Sequence, residues 1–288
     1  MVALWKNRKI KDEILGINER NMEFVYKLNP KNYFVLADDK IKTKEILHTH
    51  QIACAETYEL IDRVGDIPLA LTRIEKYNSI AIKPAKGSGG GGIKILKKDD
   101  NNNWLSGDQT ISDDEIASHM ARIMMGMYSF GNSDRVLVEA CIIPDPFFHA
   151  IYPAGVPDFR VILVHDEPVM SMLRLPTDKS DGKANLHQGG LGIGIDMSTG
   201  KLNYAFDGKR YHETHPDNGH QILGLDIPKW EAILALSIAT SKCFPLNYLG
   251  IDIVLDAQFG PMIMEINVRP GLGIQLANKE GLKKYLNN

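Results

Sequence analysis

Cysteine is scarce in this sequence: Cys54, Cys141 and Cys243 are widely spaced, odd in number and form no CxxC pair. Neither a disulfide framework nor a zinc knuckle can be built from them, which fits a cytoplasmic chain. An excess of either charge is missing too. Lys plus Arg at 33 against Asp plus Glu at 36 leaves a net charge of -3, no general field to draw in nucleic acid or an anionic membrane. Any anion site must therefore be local. The opening "MVALWKNRKIKDEILG" holds no secretory apolar run, and no later segment approaches the roughly 18 apolar residues of a membrane span. These absences point to a soluble, unexported protein with neither nucleic acid nor membrane as partner.

What is present suits an α+β fold. With 288 residues the chain can bury a substantial core in one large domain or two joined subdomains. Residues 1–37 read as a helical opening, and Asp38 or Asp39 can cap the following helix, "KIKTKEILHTHQ". The alternating "SIAIKP" and "IKIL" read as a hairpin whose long tip is the glycine tract Lys86 to Gly92. "SDDEIASHMARIMMGMYS" has helical periodicity behind a Ser/Asp cap, and "RVLVEACI" reads as a strand. Residues 38–142 would then form a small mixed subdomain and 143–288 a larger one. The latter holds the strand pair "DFRVILVHDEPVMSMLRL", the helix "PKWEAILALSIATSKCF", and the closing strands "LGIDIVLD" and "GPMIMEINV". Strands adjacent in sequence favour antiparallel pairing over a doubly wound parallel sheet.

The closing hairpin carries an unusual row. By alternation Met264, Ile266 and Val268 share the core face, while Glu265, Asn267 and Arg269 share the other. Asp252 stands alone among apolar neighbours on the preceding arm, one step across the ladder from Glu265. Adjacent buried carboxylates cost several kcal/mol apiece, on the order of the penalty for any buried charge, and a hard cation held by oxygen ligands removes that cost. On this hairpin alone, a solvated face with an Arg269 ion pair stands level with a metal site.

Three other stretches bear on the choice. "KPAKGSGGGGI" follows a strand, and its glycines let backbone N–H groups approach phosphate oxygens, although it is neither a P-loop nor a Rossmann turn. Lys83 ends that strand as a point charge for a phosphate; Lys40 is a second candidate, with Lys42 and Lys44 beside it favouring a solvated helix face. "KANLHQGGLGIGI" holds Asn185 and His187 on a loop entering a strand, where a tight turn with a satisfied histidine outweighs a metal ligand. Arg160 and Arg174 sit on the two arms of one apolar hairpin, snorkelling or clamping an anion.

In combination, "DDKIKTK", "IAIKPAKGSGGGGI", "VLVEACI", "DFRVILV", "NLHQGG" and "GIDIVLD…MIMEINVRPG" resemble an ATP-grasp ligase, and within that superfamily the alpha-L-glutamate ligase branch, over residues 38 to 280. The resemblance implies two α+β subdomains with mainly antiparallel sheets clamping ATP. It implies that Lys40 and Lys83 bind phosphates, that Gly87, Ser88, Gly89 and Gly90 close as a lid, and that Glu139, Ala140, Cys141 and Ile142 contact adenine. Asp252, Glu265 and Asn267 would hold Mg²⁺, or Mn²⁺ in its place. Arg160, Asn185, Arg269, Arg174 and His187 would face the reacting carboxyl. The activity implied is carboxylate–amine ligation through an acyl phosphate, with glutamate or another amino acid as a substrate; a kinase without amine acceptor and a non-catalytic nucleotide module are the alternatives. Gln188 departs from a usual basic residue, "RPG" from a small residue before Pro-Gly, and "IPDPFFHAIYPAGVP" is an insert. Fewer than forty residues precede Lys40, so the N-terminal domain of the superfamily is expected to be reduced, and either a second copy of the chain, as a homo-oligomer, or another protein completes the cleft, or a peptide or polymer end fills it.

Overall fold

The computed structural model describes residues 12–87, 89–180 and 182–285. The first eleven residues, with Leu4, Trp5 and Ile10 of the expected opening helix, and Ser88 of the glycine tract lie outside them. The chain divides into two units, one of Asp39–Ile41 with Ala55–Ile142, the other of the residues up to Asp38, Lys42–Cys54 and the chain from Ile143 on. Helix α1, Lys40–Thr49, is begun by Asp39, whose carboxylate accepts from the Ile41 amide at 3.0 Å.

The smaller unit is a six-stranded sheet built from β1 (Thr57–Ile61), β2 (Ser79–Pro84), β3 (Lys94–Lys98), β4 (Trp104–Ser106), β5 (Gln109–Thr110) and β6 (Val136–Glu139). Its order is β1-β6-β2-β3-β4-β5, and every pair is antiparallel. The expected hairpin forms in register, Ser79 opposite Lys97 and Ile82 opposite Lys94. Period-2 alternation sends Ile80, Ile82, Leu96, Val136 and Val138 to one face, where they are buried with Ile74, Ile116 and Met120. Those last three come from helices α2 (Ile67–Ile74) and α3 (Asp113–Met124). Ser112 and Glu115 close a capping box at the start of α3, worth about 1 kcal/mol. The opposite face carries Ser79, Ala81, Lys83, Ile95, Lys97 and Glu139.

The larger unit is a seven-stranded antiparallel sheet, ordered β11-β10-β9-β8-β7-β12-β13. Its strands are β7 (Asp158–Val164), β8 (Glu167–Leu175), β9 (Leu191–Ile195), β10 (Leu202–Phe206), β11 (Tyr211–His212), β12 (Tyr248–Asp256) and β13 (Gly260–Asn267). The turn between β7 and β8 places His165 and Asp166 at φ 50° and 65°, the left-handed pair that a two-residue hairpin requires. Leu249, Ile251, Ile253, Ile263 and Ile266 bury one face together with residues of β7, β8 and β9. Helices α4 (Pro146–Ile151), α5 (Trp230–Ser241) and α6 (Ile274–Asn278) complete this unit. Residues 12–38 form short helical pieces, one of them a π-helical turn at Arg20–Val25. They pack on their own chain: Leu15 is buried and exchanges backbone hydrogen bonds with the Gln275 side chain, and Asn29 clamps the backbone of Tyr248.

One expectation of the closing hairpin is overturned here. Asp252 pairs with Glu265, but the next partner of β12, Ile253, pairs with Ile263, so Met264 is an extra residue in the ladder. A bulge reverses the phase of the residues beyond it. Met264 is consequently exposed, and Ile263 takes the core position instead.

Candidate functional site

In the smaller unit, β2 and β6 bring Lys83 and Glu139 to one face, and their side chains form an ion pair. Both are largely shielded from solvent, at 13% and 4% side-chain exposure, so the pair fixes the ammonium in place. An ammonium has three donors, and the others remain for a ligand. Glu139 was expected at an adenine contact, yet its carboxylate serves Lys83. Beyond it the chain turns irregular through Ala140, Cys141 and Ile142, with the Ala140 amide donating to the Glu56 carbonyl at 2.9 Å. Burial pushes the Cys141 thiol up, away from nucleophilic use.

The glycine tract is anchored at both ends by residues that motif reading passed over. At its start the Lys86 amide donates to both oxygens of Asp134 at 3.0 and 3.1 Å. Asp134 also accepts from the Arg135 amide at 2.8 Å and from the Ser129 hydroxyl. At its end the Gly92 carbonyl meets His119 Nε2 at 3.0 Å, and a Cβ on Gly92 would lie 2.5 Å from the Tyr128 ring. Lys40 is half-buried at the start of α1. Its ammonium donates to the Gly87 carbonyl at 2.6 Å, and its amide to Ala85. Gly89, Gly90 and Gly92 have φ of 63°, 76° and 76°, a run of left-handed backbone that glycine adopts at little cost.

In the larger unit the sheet register assembles a charged row. Asp252 on β12 lies between Arg160 on β7 and Glu265 on β13, and Arg174 on β8 pairs with Asp158 on β7. Arg160 binds Asp252 in a fork, Nε to Oδ1 at 2.7 Å and Nη2 to Oδ2 at 2.6 Å. Arg174 holds Asp158 the same way and reaches Asp252 Oδ2 at 2.8 Å with Nη2. Two carboxylates and two guanidinia thus neutralise each other, so a cation is not what compensates the buried Asp252. The partners that offset the charge of Asp252 lie outside the hairpin, 92 residues away for Arg160 and 78 for Arg174.

Burial shapes how this quartet titrates. It pushes Asp158 up to about 6 against the pull of Arg174. Burial would raise Asp252 as well, but Arg160 and Arg174 together overcome it and hold that carboxyl below the usual range. Burial would lower Arg174, and Asp158 with Asp252 raises it instead. The quartet's proton therefore arrives on Asp158 first.

Glu265 and Asn267 are half-buried at the rim of this row. Asn267 donates Nδ2 to Asp252 Oδ2 at 3.2 Å, which leaves its carbonyl oxygen on the side away from that carboxylate. A carboxylate and an amide oxygen on one strand edge fit an oxygen-seeking hard cation. Asp252, with four donors already on its oxygens, fits the role of orienting Asn267 better than that of a ligand. Among the described residues no group of three His, Cys, Asp or Glu side chains is placed to hold a metal.

The remaining candidates are dispersed. Asn185 caps the turn Leu186–Gln188 by accepting from the His187 amide at 3.0 Å, and His187 is exposed. Arg269 lies beyond the end of β13, exposed, over the Phe34 ring at 4.8 Å and 3.9 Å from Asp38. Arg20 escaped sequence reading altogether. It is buried, burial lowers its guanidinium, and its Nη1 donates to the carbonyls of Pro270 at 2.7 Å and Arg269 at 3.4 Å. A buried arginine fastening the Arg269–Gly271 turn leaves no periodic trace in a sequence.

Two antiparallel sheets with a glycine hairpin in one unit and a carboxylate hairpin in the other define an ATP-grasp fold. A family model described as sugar-transfer associated ATP-grasp matches residues 19–288, and the chain belongs to that family. Solved structures of like fold include biotin carboxylase from Campylobacter jejuni with β-γ-ATP, 11% identical, TM-score 0.57, covering 93% of this chain and 49% of that one. D-cycloserine synthetase DcsG is 11% identical with a TM-score of 0.50, covering 90% of this chain and 71% of its own. D-alanine–D-alanine ligase from Bacillus anthracis is 15% identical with a TM-score of 0.50, covering 88% and 65%. The chain thus spans about half the length of the carboxylase and less than two thirds of the ligase. No curated protein matches the sequence. Among the described residues no helix is long and apolar enough to cross a membrane.

Proposed function

We propose that the protein is an ATP-dependent carboxylate–amine ligase: a carboxylate attacks the γ-phosphorus of ATP, ADP leaves, and an amine displaces phosphate from the acyl phosphate to give an amide. The observation that carries this reading is the row of Arg160, Asp252, Glu265 and Asn267 on β7, β12 and β13, which sets a fixed guanidinium beside carboxylate and amide oxygens. Neither step needs a protein nucleophile, only positioning and compensation of developing negative charge. Lys83, held by Glu139, and Lys40 with the glycine tract take the phosphates, and the Glu139–Ile142 segment borders adenine through its backbone. Glu265 and Asn267, with Asp252 behind them, hold Mg²⁺, which supplies neutralisation of the phosphate oxygens. Arg160 orients the acid, and Arg174 keeps Arg160 and Asp252 in place.

The sugar-transfer association of the family supports a saccharide substrate, a sugar acid as the carboxylate or an amino sugar as the amine, joined to an amino acid such as glutamate. Incubation with ATP, Mg²⁺ and pools of sugar acids and amino acids, with hydroxylamine as a surrogate amine, tests the reading. ADP release accompanied by a hydroxamate is expected. A stable phosphorylated product formed without any amine would make the protein a kinase and overturn the ligase reading.

A further inference from the structure

The loop that follows α3 is built to hold apolar side chains in solvent. Its backbone is closed tightly: the Ser129 and Gly131 amides donate to the Gly126 carbonyl at 3.1 and 3.0 Å, and the Asn132 amide to Ser129 at 3.0 Å. Gly126 has φ 82°, and a Cβ there would lie 2.3 Å from the Asn132 carbonyl oxygen, so the turn requires glycine. Ser129 is buried and Tyr128 turns inward onto Gly92. Met125, Met127 and Phe130 turn outward, 74%, 63% and 89% exposed. Phe130 does so at φ 53°, a left-handed conformation that costs an aromatic residue energy without any return from packing. A turn selected only for solubility would put Asn or Gly there.

The exposed charge nearest this tip is basic: Arg122 and Lys94 flank its base, while the carboxylate that touches the loop, Asp134, is buried against the Ser129 hydroxyl and the Lys86 amide. Lys94 and Arg122 both lie close enough to His119, beneath the tip, to depress its basicity after burial. Three side chains offer roughly 150–250 Å² each at most, short of the roughly 800 Å² per partner of a stable protein interface. Apolar residues at a narrow tip with basic flanks are instead the pattern of a segment that enters the headgroup boundary of a bilayer.

We infer that the 125–130 loop is a membrane-contact element, inserting Met125, Met127 and Phe130 among lipids while Arg122 and Lys94 meet anionic headgroups. This departs from the absence of a membrane partner expected from net charge, because the basic patch is local. It does not rest on the ligase reading, and its test uses no enzymatic activity.

Flotation of the full chain with vesicles of phosphatidylcholine, with and without phosphatidylglycerol, reads the contact. Binding to the anionic vesicles is expected, weakening as salt is raised. Met127→Ser combined with Phe130→Asn, the latter compatible with positive φ, should lower that binding roughly tenfold or more. Arg122→Glu, a change of two charges at about fivefold each, should lower it on the order of 25-fold. Thermal melts confirm that the variants fold. Wild-type protein that stays off anionic vesicles, or a double variant that binds them undiminished, overturns the inference. So does light scattering that shows a wild-type dimer abolished by the double variant, since a second copy would then be what covers the loop.

Discussion

Replacing Arg174 by Met removes one guanidinium from the buried quartet while keeping a side chain of similar length. Asp158, at 3% side-chain exposure, loses its only arginine fork, whereas Asp252 retains Arg160 on both oxygens and Asn267 on one. Breaking a buried pair from one side costs about 3–5 kcal/mol near neutral pH. The cost must depend on pH in a definite direction. Asp158 sits at about 6 in the folded protein against 3.8 ordinarily, so the folded state binds its proton more tightly than the unfolded chain. Its contribution is fully present below the unfolded value and is lost as pH rises through 6, a swing of roughly 3 kcal/mol from 2.2 pK units.

Without Arg174 the folded value rises further, and the swing widens. Urea unfolding of wild type and Arg174→Met should therefore differ most at about pH 7.5, and the difference should narrow by about 2 kcal/mol by about pH 5, where Asp158 is protonated in both. Adding Asp158→Leu to Arg174→Met should recover most of the loss, because an apolar pair of similar volume replaces a buried ion pair at little net cost. A loss of equal size at both pH values, or a double variant no more stable than the single, would refute the account of the quartet.

Other outcomes follow from the same geometry. Glu265→Gln should lower Mg²⁺-dependent ADP release on the order of a hundredfold and leave the unfolding midpoint unchanged, as read by a coupled ADP assay beside a melt. Asp134→Ala strands the amides of Lys86 and Arg135 and should cost about 1–3 kcal/mol, with faster hydrogen exchange at those two positions. Lys83→Met leaves Glu139 buried beside an apolar chain, so ATP binding by calorimetry should weaken at least tenfold, on the order of a lost charged hydrogen bond. Burial holds His119 below its ordinary 6.5, so its contribution is present above 6.5 and is lost as pH falls from there through the lower folded value; His119→Gln should flatten the decline of melting temperature below about pH 6.5.

The elements were legible where a local rule acts alone. The Ser112 capping box, the β2–β3 hairpin and the alternation of β12 are written in neighbouring residues, and the structure follows them. Met264 was misassigned because period-2 reading carries no information about an inserted residue, and a bulge costs the sequence nothing visible. Asp252 was recognised as buried and anomalous, but its compensation comes from Arg160 and Arg174, brought alongside only by long-range strand pairing. Of the anchors of the glycine tract, His119 lies in a helix that its periodicity gives, and Asp134 in a loop that no local pattern marks. Nothing in a helix period distinguishes a histidine that will meet Gly92 from one that merely fills the core.

The positions of glycine explain why this charge row is so dry. Gly194 lies opposite Met172, itself opposite Arg160, and Gly250 lies opposite Asn267, two residues before Asp252 along β12. A Cβ on Gly194 would come within 2.6 Å of the Ala277 carbonyl oxygen, and one on Gly250 within 2.5 Å of Pro270. The backbone of α6 therefore lies directly on the sheet at one side of the quartet, and the Pro270 ring of the Arg269–Gly271 turn at the other. Asp158 and Asp252 are 2% and 0% exposed beneath them, and the Arg20 guanidinium fastens the turn by its carbonyls. Charges so enclosed keep their geometry only if they neutralise each other, which four ionised groups in two forks achieve. In the proposed ligase Arg160 is thereby fixed before any ligand arrives, and a fixed cation stabilises developing negative charge without reorganising as the charge forms. The roof that makes the quartet expensive to disturb is, on that proposal, also what readies the row for its substrate.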